Sequence, residues 1–581
     1  MNTMNTMNTG GPPGAAAYDV IVLGSGAAGL AAANAAAGRG LRVLVVEKAP
    51  TFGGTSAISG GAVWVYGTDQ ARRAGVQDTP EAMRSYLKHT IGSGYDAALV
   101  DAYIDKGHEA LRWLEQHTEL QYALRPLSPD YYPDEPGGTD TGRALEVAEY
   151  DGRRLGERFK DLKMPPPGML LFGGMMVNRV DIQHFLSVKR SAGSLWHCLK
   201  LLGRYAVDRI GHHRGTRLTV GNALIARLAT SAFAQGVELW LNSSTESLII
   251  ENAAVVGVRV HREGKVLQVR ASGGVICAMG GFAAGTLAAR LRPSGNGEHL
   301  TMSPSTNTGD ALRLSERANA AVGENLAANF FWAPVSQLRH ANGEWERFPH
   351  LVTDRAKPGV IAVNDQGKRF VNESNSYHAF VSAMFETGST PCWLICDSVA
   401  MNSYGMGLAR PSPVDNSALV SAGYLHKADS IIALAQAIGV APQALEGTLA
   451  RYNTDASKGV DSDFGKGGNS YNRYMGDPLH SPNPCLAPLT KAPFYAIRLH
   501  TGDLGSARGL VTNAQANVLD QQGMPIRGLY AAGNDMNSIM DGTYPGPGIT
   551  LGPAMVFGYL AATDIAERMT HPAALSSTVE L

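Results

Sequence analysis

At 581 residues, with 44% of them hydrophobic, the chain is too long for one hydrophobic core, and two domains are expected. A formal net charge of −1 leaves no electrostatic footprint for a nucleic acid. Five cysteines without regular spacing exclude a secreted disulfide scaffold and suit a reducing compartment, so a cytoplasmic location is expected. Residues 1–17 repeat Met-Asn-Thr and run into Gly-Gly-Pro-Pro-Gly, which predicts a disordered tail without the apolar core of a signal peptide. No stretch reaches the roughly 18 apolar residues that a membrane-spanning helix needs.

Residues 19–23 read as an apolar strand, and Gly24-Ser25-Gly26-Ala27-Ala28-Gly29 follows at once. A small-residue helix runs from 30 to about 38, and a second strand, 42–46, ends in Glu47. Strand, G-x-G-x-x-G, helix, strand, acid is the order of a dinucleotide-binding unit. Gly24, Gly26 and Gly29 make the turn, admit a pyrophosphate to the helix N-terminus at Ala27 and Ala28, and pack helix on sheet. Glu47 is placed to hold ribose hydroxyls. A second glycine- and hydroxyl-rich segment lies only a few residues on, Gly53-Gly54-Thr55-Ser56-Ala57-Ile58-Ser59-Gly60-Gly61. That spacing suits a cofactor extending past the dinucleotide end, as FAD does. Lys48, Gly54, Thr55, Ser56, Ser59, Gly60 and Gly61 are its candidate ligands. With no second G-x-G-x-x-G, direct oxidation of NADH is not expected.

Residues 80–165 read as helical and then irregular, with Asp130-Tyr131-Tyr132-Pro133 in a loop that could lie over a site. Over 188–214, Lys189, Arg190, Lys200, Arg204, Arg209 and Arg214 interleave with Leu195, Trp196, Leu199, Leu202 and Tyr205. The first reading is a solvated helix face above a buried stripe; the second is peripheral attachment to an anionic membrane. A helix over 221–235, a strand over 238–241, a hairpin over 248–260 and a buried strand over 274–282, closing in Gly280-Gly281, complete the first part of the chain. Residues 298–486 form an insertion. Within it, Asp310 or Thr308 is the expected helix cap, and 363–364 and 369–373 are expected strands. Cys392 and Cys396 flank Trp393-Leu394-Ile395 and read as buried strand residues rather than metal ligands. The chain is expected to return to the first domain through 493–499 and 510–520.

The C-terminal part carries the densest signal. Residues 528–534 form a short buried strand ending in Gly533-Asn534, and Asp541-Gly542-Thr543-Tyr544-Pro545-Gly546-Pro547-Gly548 leads into a helix that opens at Ile549-Thr550. The loop puts a phenol, a bare glycine N–H and a helix N-terminus in one place, suited to an electron-rich ligand edge.

The first glycine segments resemble those of the fumarate reductase/succinate dehydrogenase flavoprotein superfamily, whose members carry E-K-x-x-x-x-G-G-x-S-x-x-S-G-G. Covalent members place a histidine in that loop; none is present here, which implies non-covalent FAD. Tyr544-Pro545-Gly546-Pro547-Gly548, with Gly502-Asp503-Leu504-Gly505, Asp130-Tyr131-Tyr132-Pro133 and Gly367-Lys368-Arg369-Phe370-Val371-Asn372-Glu373, is similar to the 3-ketosteroid dehydrogenase branch, which includes enzymes acting on cyclohexanone and its derivatives. The resemblance covers nearly all of the chain after residue 17. It implies a Rossmann-like α/β FAD-binding domain (18–297 and 487–581) with an inserted α+β catalytic domain (298–486). It also implies desaturation of a cyclic ketone, with electrons passing to an acceptor that the sequence does not identify.

By the same resemblance, Tyr544 and the Gly548 N–H bind the ketone oxygen, Tyr377 takes the α-proton and Tyr131 supports that base. The residue types fit this chemistry: an α-proton leaves only if charge gathers on oxygen, which two fixed donors stabilise. A tyrosine acting as base is expected to have its pKa depressed from about 10. The alternative, reduction of an activated alkene such as fumarate, calls for a cation facing the substrate; the loop has none, although His500 and Arg508 lie nearby in sequence.

Overall fold

The computed structural model describes residues 16–571, apart from 189, 190, 294, 296 and 353. Residues 1–15 of the expected tail, and Lys189 and Arg190 of the expected basic helices, lie outside the described residues.

A mixed sheet of eight strands forms the larger body. In spatial order it runs Asn517–Leu519, Pro525–Ala531, Ala254–Arg262, Lys265–Cys277, Ala16–Leu23, Val43–Val46 and Glu238–Trp240, with Ser244–Glu251 paired to Ala254–Arg262. Its central strands are parallel and end in line: Leu23 lies opposite both Val46 and Cys277, and Cys277 opposite Ala531. The chain segments leaving those ends stay stitched together. Gly24 N–H donates to the Val46 carbonyl, Ala278 N–H to Leu23 and Ala532 N–H to Cys277. Ligands of open parallel sheets bind outside such carboxyl ends.

Helix Ala27–Ala37 covers this edge, between helices Val220–Ala234 and Leu551–Thr570. It is apolar all round because neighbours lie on every side. Its alanines permit very close packing: a Cβ at Gly558 would lie 2.4 Å from the Ala28 carbonyl oxygen.

The middle of the chain builds separate sheets. Val360–Val363, Cys392–Cys396, Phe494–Leu499 and His426–Ala428 form one, antiparallel throughout; Cys392 and Cys396 are buried in it. Phe330–Trp332 pairs with Thr501–Ser506, which also takes His299–Thr301. This corrects the expected return point. Residues 494–499 pair with Cys392–Cys396, and the chain rejoins the large sheet only at Asn517–Leu519.

Two other local expectations change. Residues 369–373 form no strand, because Arg369 folds back to donate to both Glu373 carboxylate oxygens at 2.8 Å, and to Asp461. The helix Asp310–Ser315 is capped by Gly309, since the Asp310 carboxylate is taken up by Lys48.

Candidate active site

The first glycine motif forms a cradle that side chains would fill. Gly24 has φ +102, and a Cβ there would lie 2.2 Å from the Ala278 carbonyl oxygen; one on Gly29 would lie 2.1 Å from the Gly24 oxygen. Gly26 caps the helix without a side-chain bond, and the Ala27 N–H donates to the Ser56 hydroxyl at 3.1 Å. Ala28 lies in the first turn. Glu47 stands at the end of its strand, one carboxylate oxygen accepting from the Ser25 hydroxyl at 2.6 Å and the other from the Ala49 N–H at 2.9 Å.

The second glycine segment lies against the first. Ser59 donates to the Ser56 carbonyl and accepts from Gly61 N–H, while Gly54 and Gly60 face open space. Thr55 accepts from Asn307, which also bonds the Gly280 carbonyl. Lys48 is the exception among the expected ligands: its ammonium is committed to Asp310 at 2.6 Å and Thr308 at 2.7 Å.

One residue that the sequence reading missed ties these pieces to the C-terminal strand. The buried Asp535 carboxylate accepts from Met279 N–H and, at 2.9 Å, from Gly281 N–H. Burial pushes its pKa up to about 6. Gly533, Asn534, Ile549 and Thr550 then line a cavity of about 30 Å³ together with Phe331, Ser506 and Met536.

Next to this cavity the expected tyrosines come together from three distant parts of the chain. Tyr131 donates to the Tyr377 hydroxyl at 3.2 Å. The Tyr131 and Tyr544 rings stack at 5.6 Å, and Tyr377 meets Tyr544 edge-on at 5.0 Å. Phe331 packs on Tyr544 at 5.7 Å, and Tyr471, unforeseen, lies 4.8 Å from Tyr131. His378 completes the wall. Its Nδ1 accepts from Trp332 N–H at 3.1 Å, so Nε2 carries the proton, and burial holds its pKa near 3. Among the described residues nothing accepts from the Gly548 N–H.

The electrostatics run against one expectation. Burial, with the Tyr131 and Tyr544 phenols beside it, raises the Tyr377 pKa well above 10 instead of depressing it. Tyr131 and Tyr544 are raised by burial as well. The cause is desolvation of the phenolate, which at Tyr131 outweighs the opposing pull of the Arg125 charge. Arg355, a buried cation of this neighbourhood, spends its donors on the carbonyls of His350, Leu351, Glu373 and Asn375.

This cradle, sheet edge and glycine set define a nucleotide-binding flavoprotein. The family described as FAD binding domain matches residues 19–551, and the chain belongs to it; its cofactor is FAD. The 3-oxosteroid 1-dehydrogenase of Mycolicibacterium smegmatis is 37% identical, the match covering 94% of this chain and 97% of that one. The 4-oxocyclohex-2-ene-1-carboxylate 5-dehydrogenase of Sinomonas cyclohexanicum is 38% identical over 95% of this chain and 94% of that one. Among solved structures, the 3-ketosteroid delta1-dehydrogenase of Sterolibacterium denitrificans, in complex with 1,4-androstadiene-3,17-dione, superposes with a TM-score of 0.88 at 37% identity, covering 95% of this chain and 99% of that one. The chain is therefore an oxidoreductase of the flavoprotein group that holds these dehydrogenases. A flavocytochrome c3 fumarate reductase shares the fold, at 22% identity and a TM-score of 0.62.

Gly548 also acquires a physical reason the sequence did not supply. It has φ +105, and a Cβ there would lie 2.5 Å from the Ala62 carbonyl oxygen and 2.8 Å from Val63 Cα. The added methyl meets backbone, not ligand. Gly548→Ala is expected to displace the loop and lower turnover by at least about tenfold, since a misplacement near 1 Å can cost about 10²-fold. Turnover unchanged from wild type would show that the loop tolerates the shift.

Proposed function

We propose that this protein desaturates a cyclic ketone, a 3-ketosteroid or a smaller alicyclic ketone such as cyclohexanone, at its α,β bond. The observation that carries the reading is the convergence of Tyr131, Tyr377 and Tyr544 beside Ile549 and Thr550 at the start of the last helix, with the Gly548 N–H unclaimed. The names of the steroid and oxocyclohexane-carboxylate relatives support the substrate class. Non-covalent FAD, held by the glycine segments and Glu47, supplies a hydride acceptor when bound. Tyr544 and the Gly548 N–H hold the ketone oxygen and stabilise the charge that gathers there as the α-proton leaves. Tyr377 receives that proton, and Tyr131 fixes its oxygen. We assign residues 18–297 and those from Asn517–Leu519 onward to the FAD-binding part, and the segment between, through Thr501–Ser506, to the inserted catalytic part.

Tyr377→Phe is expected to abolish nearly all turnover, and Tyr544→Phe to lower it by about 10²–10³, as loss of one oxyanion donor does. Both variants should keep bound flavin. The assay is flavin bleaching on mixing with a steroid ketone and with cyclohexanone side by side. Faster reduction of fumarate than desaturation of any cyclic ketone would overturn the reading.

A raised phenol also sets the pH dependence. Tyr377 is active when deprotonated, and its raised pKa leaves it protonated through neutral pH. Flavin reduction by the ketone is therefore expected to speed up by about tenfold per pH unit between about pH 7 and about pH 9. A plateau already reached below about pH 8 would mean that the base is ionised there.

We place the protein in the cytoplasm, at the inner face of the membrane. All five cysteines are free, and among the described residues no helix is long and apolar enough to cross a membrane. The helix Ala192–Gly211 supports peripheral contact. Its apolar stripe is not buried: Trp196 is 67% exposed, Val207 68% and Ile210 87%, with exposed Leu199 on the same face and exposed Lys200 and Arg204 beside it. Phe172, also exposed, is tied to this helix by the Tyr205 hydroxyl. An amphipathic helix with basic flanks suits an anionic bilayer surface and apolar substrates dissolved in it. Co-sedimentation with vesicles containing phosphatidylglycerol is expected, and Trp196→Glu with Ile210→Glu should abolish it. Equal sedimentation of both forms would refute the contact. The electron acceptor stays unidentified.

A further inference from the structure

Two of the three tyrosines stand on backbone that is held at one phenol outside their cluster. Tyr86 lies on the helix Pro80–Ile91 and is fully buried. Its hydroxyl donates to the Pro545 carbonyl at 2.5 Å and accepts from the Tyr132 N–H at 3.3 Å. The Tyr131 N–H donates to the same Pro545 carbonyl at 2.9 Å. Pro545 directly follows Tyr544, and Tyr132 directly follows Tyr131. Pro545 has no N–H of its own to anchor the loop, so its carbonyl is the attachment available at that point.

The ring of Tyr86 is itself fixed. The Arg143 guanidinium lies 5.3 Å from its centroid and 5.7 Å from that of Trp64. Arg143 is buried and pairs with Asp78 at 2.7 Å and Asp130 at 2.8 Å. Asp130, which precedes Tyr131, accepts from the Trp64 indole at 2.7 Å. The same indole closes over Gly546, where a Cβ would lie 2.5 Å from Nε1. Every neighbour of the phenol is thus held, and the phenol joins the two loops.

We propose that Tyr86 is a positioning residue for the ketone reaction: its hydroxyl sets the distance between the backbones that carry Tyr131 and Tyr544, and so the register of oxygen-binding donor and base. The proposal rests on the functional reading given above. It contrasts with a packing role, which the ring alone would fill. Tyr86→Phe keeps the ring and its contact with Arg143, removes the donor to Pro545, and leaves Tyr132 N–H without its acceptor.

The test measures single-turnover flavin reduction per bound flavin, by a ketone the wild type desaturates, for wild type, Tyr86→Phe, Tyr544→Phe and the double variant, with thermal unfolding and flavin content in parallel. Tyr86→Phe is expected to lower the rate by about tenfold to about 10²-fold with KM nearly unchanged, because misplaced catalytic groups cost rate before affinity. In the Tyr544→Phe background the same change should cost less than about threefold, since the spacing it sets between Tyr131 and the Tyr544 hydroxyl no longer has its second member. A rate within about twofold of wild type overturns the proposal. So does a full tenfold loss repeated in the Tyr544→Phe background, which marks a structural role. Failure of Tyr86→Phe to fold or to retain flavin overturns it too, because a positioning residue leaves the fold standing. A wild type inactive on every cyclic ketone overturns the functional reading itself, and this inference with it.

Discussion

Close backbone contact, at points where no side chain fits, holds the two ends of this chain together. Gly24 packs on the Ala278 carbonyl, Gly558 on Ala28 and Gly548 on Ala62. Each contact joins segments far apart in sequence: the first at the carboxyl edge of the large sheet, the second between helices over it, the third where the loop before Leu551–Thr570 meets the strand Ala62–Trp64. A methyl group at any of them would push apart layers whose separation defines the cofactor cradle. Dispersion and hydrogen bonding fall off steeply with such gaps. The cradle and the tyrosine site therefore share one mechanical origin: Gly548, the donor to the ketone oxygen in our proposal, is also where the loop presses on residues 62 and 63.

The tyrosine site is built from desolvated, uncharged groups. Three buried phenols and a neutral histidine face one another. Burial of an unpaired charge there would be expensive, which is why the phenols resist ionisation. Such a site is poorly suited to a dianion and well suited to a ketone. In the reaction we propose, it would hold a neutral molecule at rest and meet charge only as the proton leaves. Arg355, the nearby cation that could have changed this, is turned to backbone carbonyls.

Much of this was legible in the sequence, for a physical reason in each case. The strand–glycine–helix unit could be read because sterics leave glycine almost no substitutes at Gly24 or Gly29. The convergence of Tyr131, Tyr377 and Tyr544 came from a resemblance, since nothing in spacing alone brings positions so far apart together. Tyr86 could not be found. It sits on an amphipathic helix among other buried residues, and only the fold shows that its hydroxyl reaches Pro545. Nor could the side of the apolar stripe on Ala192–Gly211: a period of 3.6 reads the same whether the stripe meets a core or solvent. Residues 493–499 were expected to carry the chain back to the first domain, yet 494–499 pair with Cys392–Cys396, because an apolar segment carries no partner identity. The depressed tyrosine was a chemical requirement imposed on a site whose burial acts in the opposite direction.

The remaining question is how the middle segment delivers Tyr377 to a site made by the other two parts. The answer lies just before it. Arg369 pairs with Glu373 and Asp461, and Lys466, fully buried, reaches Glu373 at 3.6 Å and the carbonyls of Arg355 and Val360. Two cations and two carboxylates balance within one dry cluster. Such a cluster adds little net stability relative to an apolar one, yet losing one partner typically costs about 3–5 kcal/mol. Its benefit is direction. Arg355 adds donors to the Glu373 and Asn375 carbonyls, and Asn372 bonds Asn472, so residues 369–375 are tied down along their length. Ser376 then caps the helix Tyr377–Glu386 through the Ala379 N–H. Tyr377 stands on the first position of that helix, where its backbone is fixed from both sides. The base that we propose Tyr377 to be needs this rigidity to meet an α-carbon, and charge pairing supplies it without placing any charge at the phenol itself.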